Sequence, residues 1–527
     1  MTSGFTPLQI YSQPGCKLDG TLLEGNNYVD NQWCRYQLRK GLPRKMGGYK
    51  RLTNELSGIT RGMSIFSNNG LNYAHTGWSG GIEQFSLDIN GNVSGITNRT
   101  PASYTTNANT LWQFDNLYDG TAVSTIILAS GPPNLSDISS STATPVYYGN
   151  VLLGAPLTAT ASPNVAGGVF ALGPYAVSFD HDGIVNWSPV NNVAGAWTTA
   201  RPASTKLVAA LQIRAGAGNG PSGLIWGLDS LLRMTFVGGA TTFNFDNISP
   251  QYSILSSQTP IEFDGIYYWV GIDKFLMFNG VIQEVQNGMN ANWFFDNLNY
   301  AAAQKCFTTK IPRWGEIWFC APLFGATECN YAAILNVKLS RTLGYNVWYH
   351  TKLPNGGRSC AQYARVFRSP LFTGVDVDAT TAKYKLWQHE APGVVDEIDG
   401  PKVAAVQSYF ETNAICMAIP AQGLDGASNQ SLYCEYIEPD FVQSGDMTVQ
   451  VLGSRSNARA PDAASDPVSF IAQTTAGVSA DDQLVYLREE RRQMRFRFTS
   501  NVTGGNYEMG SPIAQVRIPK TDSRITS

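Results

Sequence analysis

Short runs of alternating aromatic and β-branched residues, each followed by a glycine-containing turn, recur along most of this chain. Alternation with a period of two is typical of half-buried β-strands, and Asx-Gly pairs supply the positive φ angles that tight hairpins need. The runs repeat at intervals of roughly 40 to 65 residues, close to the length of one four-stranded propeller blade. The pattern predicts an all-β protein with a β-propeller of six or seven blades. Clear examples are Ile266–Gly280, Leu224–Gly239, Pro174–Trp187 and Glu316–Phe324.

The character of the sequence changes twice, which predicts three regions. Residues 1–55 are irregular and basic, and we interpret them as an arm that leads into a propeller at residues 56–400. Residues 401–527 carry longer alternating strands with more charge. In the segment 494–498, for example, apolar side chains fall on one face of a strand and arginines on the other. This region is predicted to be an antiparallel β-sandwich or jelly-roll.

Two segments depart from the strand pattern. Trp293–Lys305 is the best candidate for a short helix, and Pro132–Pro145 reads as a long loop on one rim of the propeller.

Composition narrows the possible function classes. Of the 527 residues only 15% are charged and the net charge is −3, whereas a dedicated nucleic-acid binder is usually clearly basic. The chain contains no run of 18 apolar residues, which argues against a transmembrane helix, and its start lacks the pattern of a signal peptide. The eight cysteines form no CxxC pair, so we expect reduced, buried thiols in a protein made in the cytosol.

The residue types that carry catalysis or metal binding occur without a recognisable constellation. None of the four histidines (His75, His181, His350 and His389) lies in a nucleophile or metal motif. The turn from Ser178 to Trp187 approaches the Ser-x-Asp-x-Gly-x-x-Trp pattern of propeller sialidases, but its Gly and Trp are displaced, so a hairpin explains it equally well. The calcium-like start at Asp88 has Arg99 where a bidentate Glu is needed. We therefore predict no catalytic, cofactor-binding or metal-binding residues and no enzymatic activity.

One charge cluster stands out, because residues 31–51 contain seven basic side chains and no acidic one. Such a segment is either a solvated arm or an electropositive strip that docks on an acidic neighbour or contacts phosphate. Interleaved aromatic residues favour a protein interface, since aromatic side chains are frequent anchors there. The candidate interface residues are Trp33, Arg35, Tyr36, Arg39, Lys40, Arg44, Lys45, Tyr49, Lys50 and Arg51. A second cluster of arginines between residues 488 and 497 includes two glutamates and is equally consistent with a salt-bridged sheet face.

The opening DNQWCRYQLRKGLPRKMGGYKRL resembles the N-terminal segment of tail hub, or nozzle, proteins of short-tailed bacteriophages, also called packaged-DNA stabilisation proteins. The order of later segments agrees, from GITRGMSIF through IWGLDSLLRMTFVGG and GIYYWVGIDKFLMFNG to ILNVKLSRTLGYNVWYH. The resemblance covers roughly residues 25 to 350. One departure lies at Trp187, where this chain continues Ser-Pro-Val and related proteins tend to have an acidic loop.

The resemblance implies a structural virion component of the tail, assembled in the host cytoplasm. It implies a homo-hexameric ring beneath the portal and adaptor proteins that continues the DNA channel, helps retain the packaged genome and allows its ejection. Tail fibres or tailspikes would attach to it, and double-stranded DNA would pass without sequence-specific binding. The residues also leave open a carbohydrate-binding or sialidase-like secreted β-propeller, which would be a monomer that binds glycans.

Overall fold

A computed structural model describes residues 5–22, 24–52, 55–68, 71–88, 93, 95–132, 143–213, 221–239, 241–364, 368–378, 381–416, 431–454, 463–471 and 484–517. Within these ranges the protein is almost entirely β-structure, as predicted. Its helices are two short α-helices, Ala291–Asp296 and Val337–Leu343, and one 3-10 helix, Tyr300–Lys305. The helix predicted at Trp293–Lys305 is therefore confirmed as two short turns of helix. Across the described residues, no helix has the length and apolar character needed to cross a membrane.

Six four-stranded antiparallel meanders follow one another along the described part of the chain, and we number them ring sheets 1 to 6. Sheet 1 contains Met63–Asn68, Leu71–Trp78, Gly81–Leu87 and Thr97–Asn98; sheet 2 contains Gln113–Asp119, Ser124–Ser130, Tyr147–Asn150 and Thr158–Ala159; sheet 3 contains Gly168–Leu172, Tyr175–Phe179, Val185–Trp187 and Thr198–Ala200. Sheet 4 contains Leu207–Ile213, Ser222–Gly227, Leu231–Phe236 and Phe243–Ser249; sheet 5 contains Ile261–Phe263, Ile266–Val270, Phe275–Phe278 and Ile282–Glu284; sheet 6 contains Phe307–Ile311, Glu316–Ala321, Tyr331–Asn336 and Trp348–Lys352.

The seventh ring sheet combines both ends of the propeller sequence. Its strands Cys360–Ala364, Ser369–Asp378 and Thr381–His389 are completed by Tyr49–Arg51, which runs antiparallel with Tyr49 opposite His389. Two further strands, Glu397–Asp399 and Lys402–Ala404, extend this sheet outward. A strand from the basic N-terminal segment is therefore part of the propeller itself.

An apolar cluster fills each junction between neighbouring ring sheets and closes the circle. Sheets 1 and 2 meet around Trp112, sheets 4 and 5 around Trp226 and Trp269, and sheets 6 and 7 around Trp318 and Trp387. Equivalent clusters join sheets 2 and 3, 3 and 4, and 5 and 6, and a final cluster joins sheet 7 back to sheet 1. Large aromatic side chains suit these junctions because each buries roughly 150–250 Å². This closed ring of antiparallel sheets is a β-propeller, and seven sheets form it within the described ranges.

Strands from both chain ends form the remaining sheets beside the propeller. The first terminal sheet contains, in spatial order, Thr6–Gln9, Ile513–Arg517, Leu432–Glu438 and Val485–Arg491. The second contains Asp30–Gln32, Ser408–Glu411, Gln493–Ser500, Met447–Gly453 and Ala463–Ala464, with Ile415–Cys416 and Val468–Phe470 attached. The third contains Phe441–Ser444, Asn506–Met509, Pro43–Lys45 and Cys34–Tyr36. A parallel pair, Gln13–Cys16 and Asn27–Tyr28, lies apart from them.

The N-terminal segment thus pairs with strands far along the chain, across the boundaries expected at residues 55/56 and 400/401. Asp30–Gln32 lies beside Ser408–Glu411, and Arg44 lies opposite Glu508. One continuous core contains apolar side chains of the N-terminal segment, ring sheets 6 and 7 and all three terminal sheets. The segment is a structural element of this core and does not project from it as an arm.

Two smaller predictions are also answered. The alternation at 494–498 is confirmed, because Met494, Phe496 and Phe498 are buried and Arg497 is partly exposed, although Arg495 is buried too. The seven cysteines whose side chains the structure describes are free and buried, as expected for reduced thiols. The rim loop predicted at Pro132–Pro145 lies largely outside the described residues, as do residues 89–92 of the calcium-like segment that starts at Asp88.

We expect Trp387→Ala to lower the free energy of unfolding by about 3–5 kcal/mol, the usual cost of removing a fully buried tryptophan. Trp387 is 1% exposed and contacts the ring of Tyr49, whose strand completes the seventh sheet. Equilibrium denaturation measures the change. Leu343→Ala, at an exposed helix end, is the control and should change stability by no more than about 0.5 kcal/mol. Similar small effects for both variants would contradict the role of this strand pairing.

Candidate docking site at the N-terminal segment

The structure separates the ten candidate interface residues by exposure. Arg39 and Lys40 are exposed, in the connection between strands Cys34–Tyr36 and Pro43–Lys45. Partly exposed are Arg44, Lys50 and Arg51, and buried are Trp33, Arg35, Tyr36, Lys45 and Tyr49.

The three aromatic candidates pack inside the chain. Trp33 contacts Trp318 of ring sheet 6 at 6.1 Å between ring centroids, and its Nε1 donates a hydrogen bond to the carbonyl of Gly47. Tyr49 stacks on His389 at 5.1 Å. Tyr36 packs against Tyr349 at 5.2 Å. These rings were expected to anchor a partner, but in this structure their surfaces are covered by the chain's own core.

Arg35 lies at the centre of a buried ion network. Its guanidinium donates hydrogen bonds to Glu316 at 2.8 and 3.1 Å and to Glu390 at 2.7 and 2.8 Å. Glu316 also accepts hydrogen bonds from the Tyr349 hydroxyl and from Trp318 Nε1. Burial lowers the pKa of Arg35, but the two carboxylates more than offset this and raise that pKa above its ordinary value. The network joins the N-terminal segment to ring sheet 6 and to the end of ring sheet 7.

Three arginines surround Trp314, which lies in the turn between the first two strands of ring sheet 6. The guanidinium carbons of Arg35 and Arg44 lie 4.9 Å from the ring centroid, and that of Arg313 lies 5.0 Å from it. Arg35 and Arg44 are directly opposite each other in the third terminal sheet, so their side chains share one face. Trp314 therefore covers this face where the propeller meets the terminal sheets.

A cleft of about 480 Å³ opens beside Trp314. Apolar side chains line part of it, and Arg44 in its wall forms an ion pair with Glu508 at 3.1 Å. Arg39 and Lys40 stand at the cleft, and Arg313 is exposed beside Trp314. No carboxylate pairs with these three cations among the residues that the structure describes. Asp440 also lines the cleft, and its carboxylate accepts a hydrogen bond from the backbone N–H of Ser511. The cleft therefore combines an aromatic ring and apolar surface with the two cations Arg39 and Lys40, which suits an acidic protein surface.

The other basic candidates serve within the chain. Lys45 Nζ donates a hydrogen bond to the carbonyl of Gly505 at 2.7 Å. Burial lowers the pKa of Lys45 to about 8. Arg51 forms an ion pair with Asp399 at 2.7 Å, and Lys50 lies in the strand that completes ring sheet 7.

The histidines have structural surroundings. His75 is fully buried, and burial, together with Arg99, lowers its pKa to about 3. His389 packs between two aromatic side chains and accepts a hydrogen bond from Arg358. Burial lowers the pKa of His389 as well. His350 lies 3.4 Å from Asp30.

The turn at Asp180 brings three possible metal ligands together. The ligand atoms of Asp180, His181 and Asp182 lie within 4.8 Å of one another. The Asp180 carboxylate already accepts hydrogen bonds from the backbone N–H groups of Ala166 and His181. Trp187, which follows this turn, packs against Phe243 of the next ring sheet at 5.4 Å between ring centroids. The carboxylate therefore has a clear role in holding this turn.

Sequence reasoning missed Glu316, Glu390, Trp314 and Arg313. Arg35 lies 281 residues from Glu316 and 355 residues from Glu390, so no local spacing connects them. The one available signal was the pair of aromatic residues around Gly315 in the segment RWGEIW.

Comparison with known proteins adds no functional assignment. No family model and no curated protein matches the chain. Among solved structures, the WD40 β-propeller domain of Doa1 is 10% identical, with a TM-score of 0.39 over 65% of this chain and 97% of that one. A putative 6-phosphogluconolactonase from Bacteroides uniformis is 14% identical, with a TM-score of 0.37 over 58% of this chain and 90% of that one. BamB from Moraxella catarrhalis is 11% identical, with a TM-score of 0.32 over 64% and 97%. Similarity this distant says nothing about the function of this chain. The assignment of the fold as a β-propeller rests on the strand pairing.

We expect Glu316→Gln to destabilise the protein by about 3–5 kcal/mol, because it breaks a fully buried ion pair while keeping the side-chain shape. Chemical denaturation monitored by tryptophan fluorescence measures the loss. Glu284→Gln removes an exposed carboxylate in ring sheet 5 and should leave stability unchanged within about 0.5 kcal/mol. Equal effects of the two substitutions would show that the network does not hold the segment.

Proposed function

We propose that this protein is a structural component of a bacteriophage tail, the hub or nozzle subunit of a short-tailed phage. Six copies form a ring that extends the DNA channel of the portal and adaptor proteins. The ring helps to retain the packaged genome, allows its ejection and anchors fibres or tailspikes. The protein acts by assembly and has no enzymatic activity. In this proposal the terminal sheets are a β-sandwich that packs beside the propeller.

The observation that carries the proposal is that the N-terminal segment is partly buried in the core and partly exposed at a cleft. This segment opens the stretch of roughly residues 25 to 350 whose order of segments resembles tail hub proteins. Its buried half holds the propeller and the terminal sheets together through Arg35, Trp33 and Tyr49. Its exposed part presents Arg39 and Lys40 beside Trp314, at a cleft that suits an acidic neighbour. A segment that both organises the fold and faces outward is well placed to join the subunit to an adjoining ring.

The charge balance supports a channel through which DNA passes freely. Phosphate binding strengthens with the number of cations that displace counterions, and the chain carries a net charge of −3. Of the cations in the N-terminal segment, Arg35, Arg44 and Arg51 are paired with carboxylates. The free positive charge at the cleft is local and sits among apolar side chains, which favours a protein partner. The contact between neighbouring subunits of a permanent ring buries more than about 2,000 Å².

We expect the triple variant Arg39→Glu, Lys40→Glu and Arg313→Glu to fold normally and to be lost from tail particles. All three side chains are exposed, so charge reversal disturbs docking without disturbing the core. Immunoblots of particles purified from cells that produce the other tail proteins measure incorporation.

The matched control reverses three exposed cations outside the cleft, Arg233, Lys352 and Lys402, and should be incorporated as the unaltered chain is. Normal incorporation of the cleft variant would refute the docking role. Electron microscopy of the unaltered chain should show rings of six with a central hole, and isolated discs at every concentration would refute the proposed function itself.

A further inference from the structure

Two exposed apolar residues adopt left-handed backbone conformations that glycine would adopt more easily. Val123 has φ of 50° and is 73% exposed, and Phe324 has φ of 55° and is 56% exposed. Positive φ in a branched or bulky residue is a true outlier, and it costs roughly 1–2 kcal/mol. Val123 recovers little of this cost by burial, and Phe324 buries only part of its ring in the chain. Strain of this kind is concentrated at functional sites.

Phe324 is held as a rigid knob on ring sheet 6, in the loop between Glu316–Ala321 and Tyr331–Asn336. Its ring lies 6.1 Å from that of Trp293 and 5.5 Å from that of Tyr331. The backbone N–H of Phe324 donates a hydrogen bond to the carbonyl of Asn297 at 2.9 Å. An aromatic side chain that is supported from behind and fixed before contact is typical of an interface anchor.

The knob stands beside other exposed apolar side chains. Tyr300 and Ile272 are 50% and 52% exposed, and the Tyr300 hydroxyl donates a hydrogen bond to the carbonyl of Ile272 at 3.0 Å. Tyr300 begins the 3-10 helix that follows Asn297, so these side chains broaden the apolar surface around Phe324.

Val123 lies in a surface without charge, which we call the uncharged rim patch. Three loops form it, residues 120–125, 151–156 and 189–197, with the sequences GTAVST, VLLGAP and PVNNVAGAW. The N–H of Gly120 bonds to the carbonyl of Asn191, and the N–H of Val151 bonds to the carbonyl of Thr125. Exposed apolar side chains in the patch are Val123, Leu152, Leu153 and Val190, at 73%, 46%, 58% and 55%. The backbone hydrogen bonds hold the three loops side by side, and exposed apolar side chains gathered in this way are typical of an interaction site.

The knob and the patch lie on opposite sides of the propeller. The patch belongs to ring sheets 2 and 3 and the knob to ring sheet 6, so two sheets separate them in either direction around the ring. The patch loops follow first and third strands, whereas the knob loop follows a second strand, so they lie on opposite rims. One molecule cannot bring these surfaces together. Two different surfaces on opposite sides are what a head-to-tail contact between successive copies requires, and such contacts form a ring when the rotation from copy to copy closes.

We infer that Phe324 of one copy docks on the uncharged rim patch around Val123 of the next copy and that this contact closes the ring. The inference rests on the proposed function, because it names the contact between the ring subunits. The partner is a second copy of this chain. The strained backbone at both positions holds the two apolar side chains outward for each other.

The first test replaces both strained residues by glycine, in the variant Phe324→Gly and Val123→Gly. Glycine tolerates positive φ, so relief of the strain offsets the lost ring contacts of Phe324 and the thermal midpoint of the isolated subunit should change little. Mass photometry should show the six-copy species lost, with association at least ~30-fold weaker, as expected for a removed interface anchor. The control Val281→Ala and Tyr486→Ala trims two equally exposed side chains elsewhere and should keep the rings.

The second test joins the two surfaces covalently. One tagged chain carries Phe324→Cys and a second, differently tagged chain carries Leu153→Cys. Mixing them under copper-phenanthroline oxidation should give a disulfide-linked pair of unlike chains, above the background of the unaltered chain. Each variant alone should give no such pair.

The outcomes separate this inference from the proposed function. Rings that persist in the glycine variant, together with no cross-link in the mixed chains, would overturn the inference and leave the ring proposal standing on another surface. An unaltered chain that stays monomeric at every concentration would overturn both.

Discussion

One buried guanidinium, shared by the buried carboxylate of Glu316 and the partly exposed carboxylate of Glu390, joins the propeller to the terminal sheets. Arg35 reaches Glu316 at the start of a strand in ring sheet 6 and Glu390 just beyond the last long strand of ring sheet 7. Arg35 itself belongs to the third terminal sheet. A charge buried to this degree is tolerated only with paired partners and good hydrogen-bond geometry, so the three elements must meet in one arrangement. The aromatic core around Trp33 and Tyr49 forms on the same segment.

The propeller was predictable from the sequence because most of its strands pair with strands close to them in the chain. Alternating strands such as Ile266–Val270 and turns such as Asn279–Gly280 specify hairpins with their near neighbours, and a succession of hairpins implies sheets side by side. The closure of the propeller was not predictable, because Tyr49–Arg51 pairs with a strand more than 330 residues away. The buried use of Trp33 and Tyr36 was missed for the same reason. Aromatic residues within a basic segment predict an interface, but sequence does not show whether the partner is another protein or the chain's own core.

The two surfaces proposed for docking differ in their chemistry. At the cleft beside Trp314, the positive charge of Arg39 and Lys40 favours an acidic neighbour, and its strength will fall as salt increases. At Phe324 and Val123 the surfaces are apolar, and salt will affect them little. In the proposed ring, a subunit with both surfaces would distinguish contacts within a ring from contacts between rings, since the two kinds of surface do not substitute for each other.

The central claim is that the N-terminal segment is an integral part of the fold, locked by Arg35, and native-state hydrogen exchange tests it most directly. Peptides that span residues 31–51, 384–390 and 493–500 should open as one cooperative unit, with a common free energy of opening and a common dependence on denaturant. Exchange of residues 31–51 at rates near those of an unfolded chain, while the other two peptides stay protected, would contradict the account.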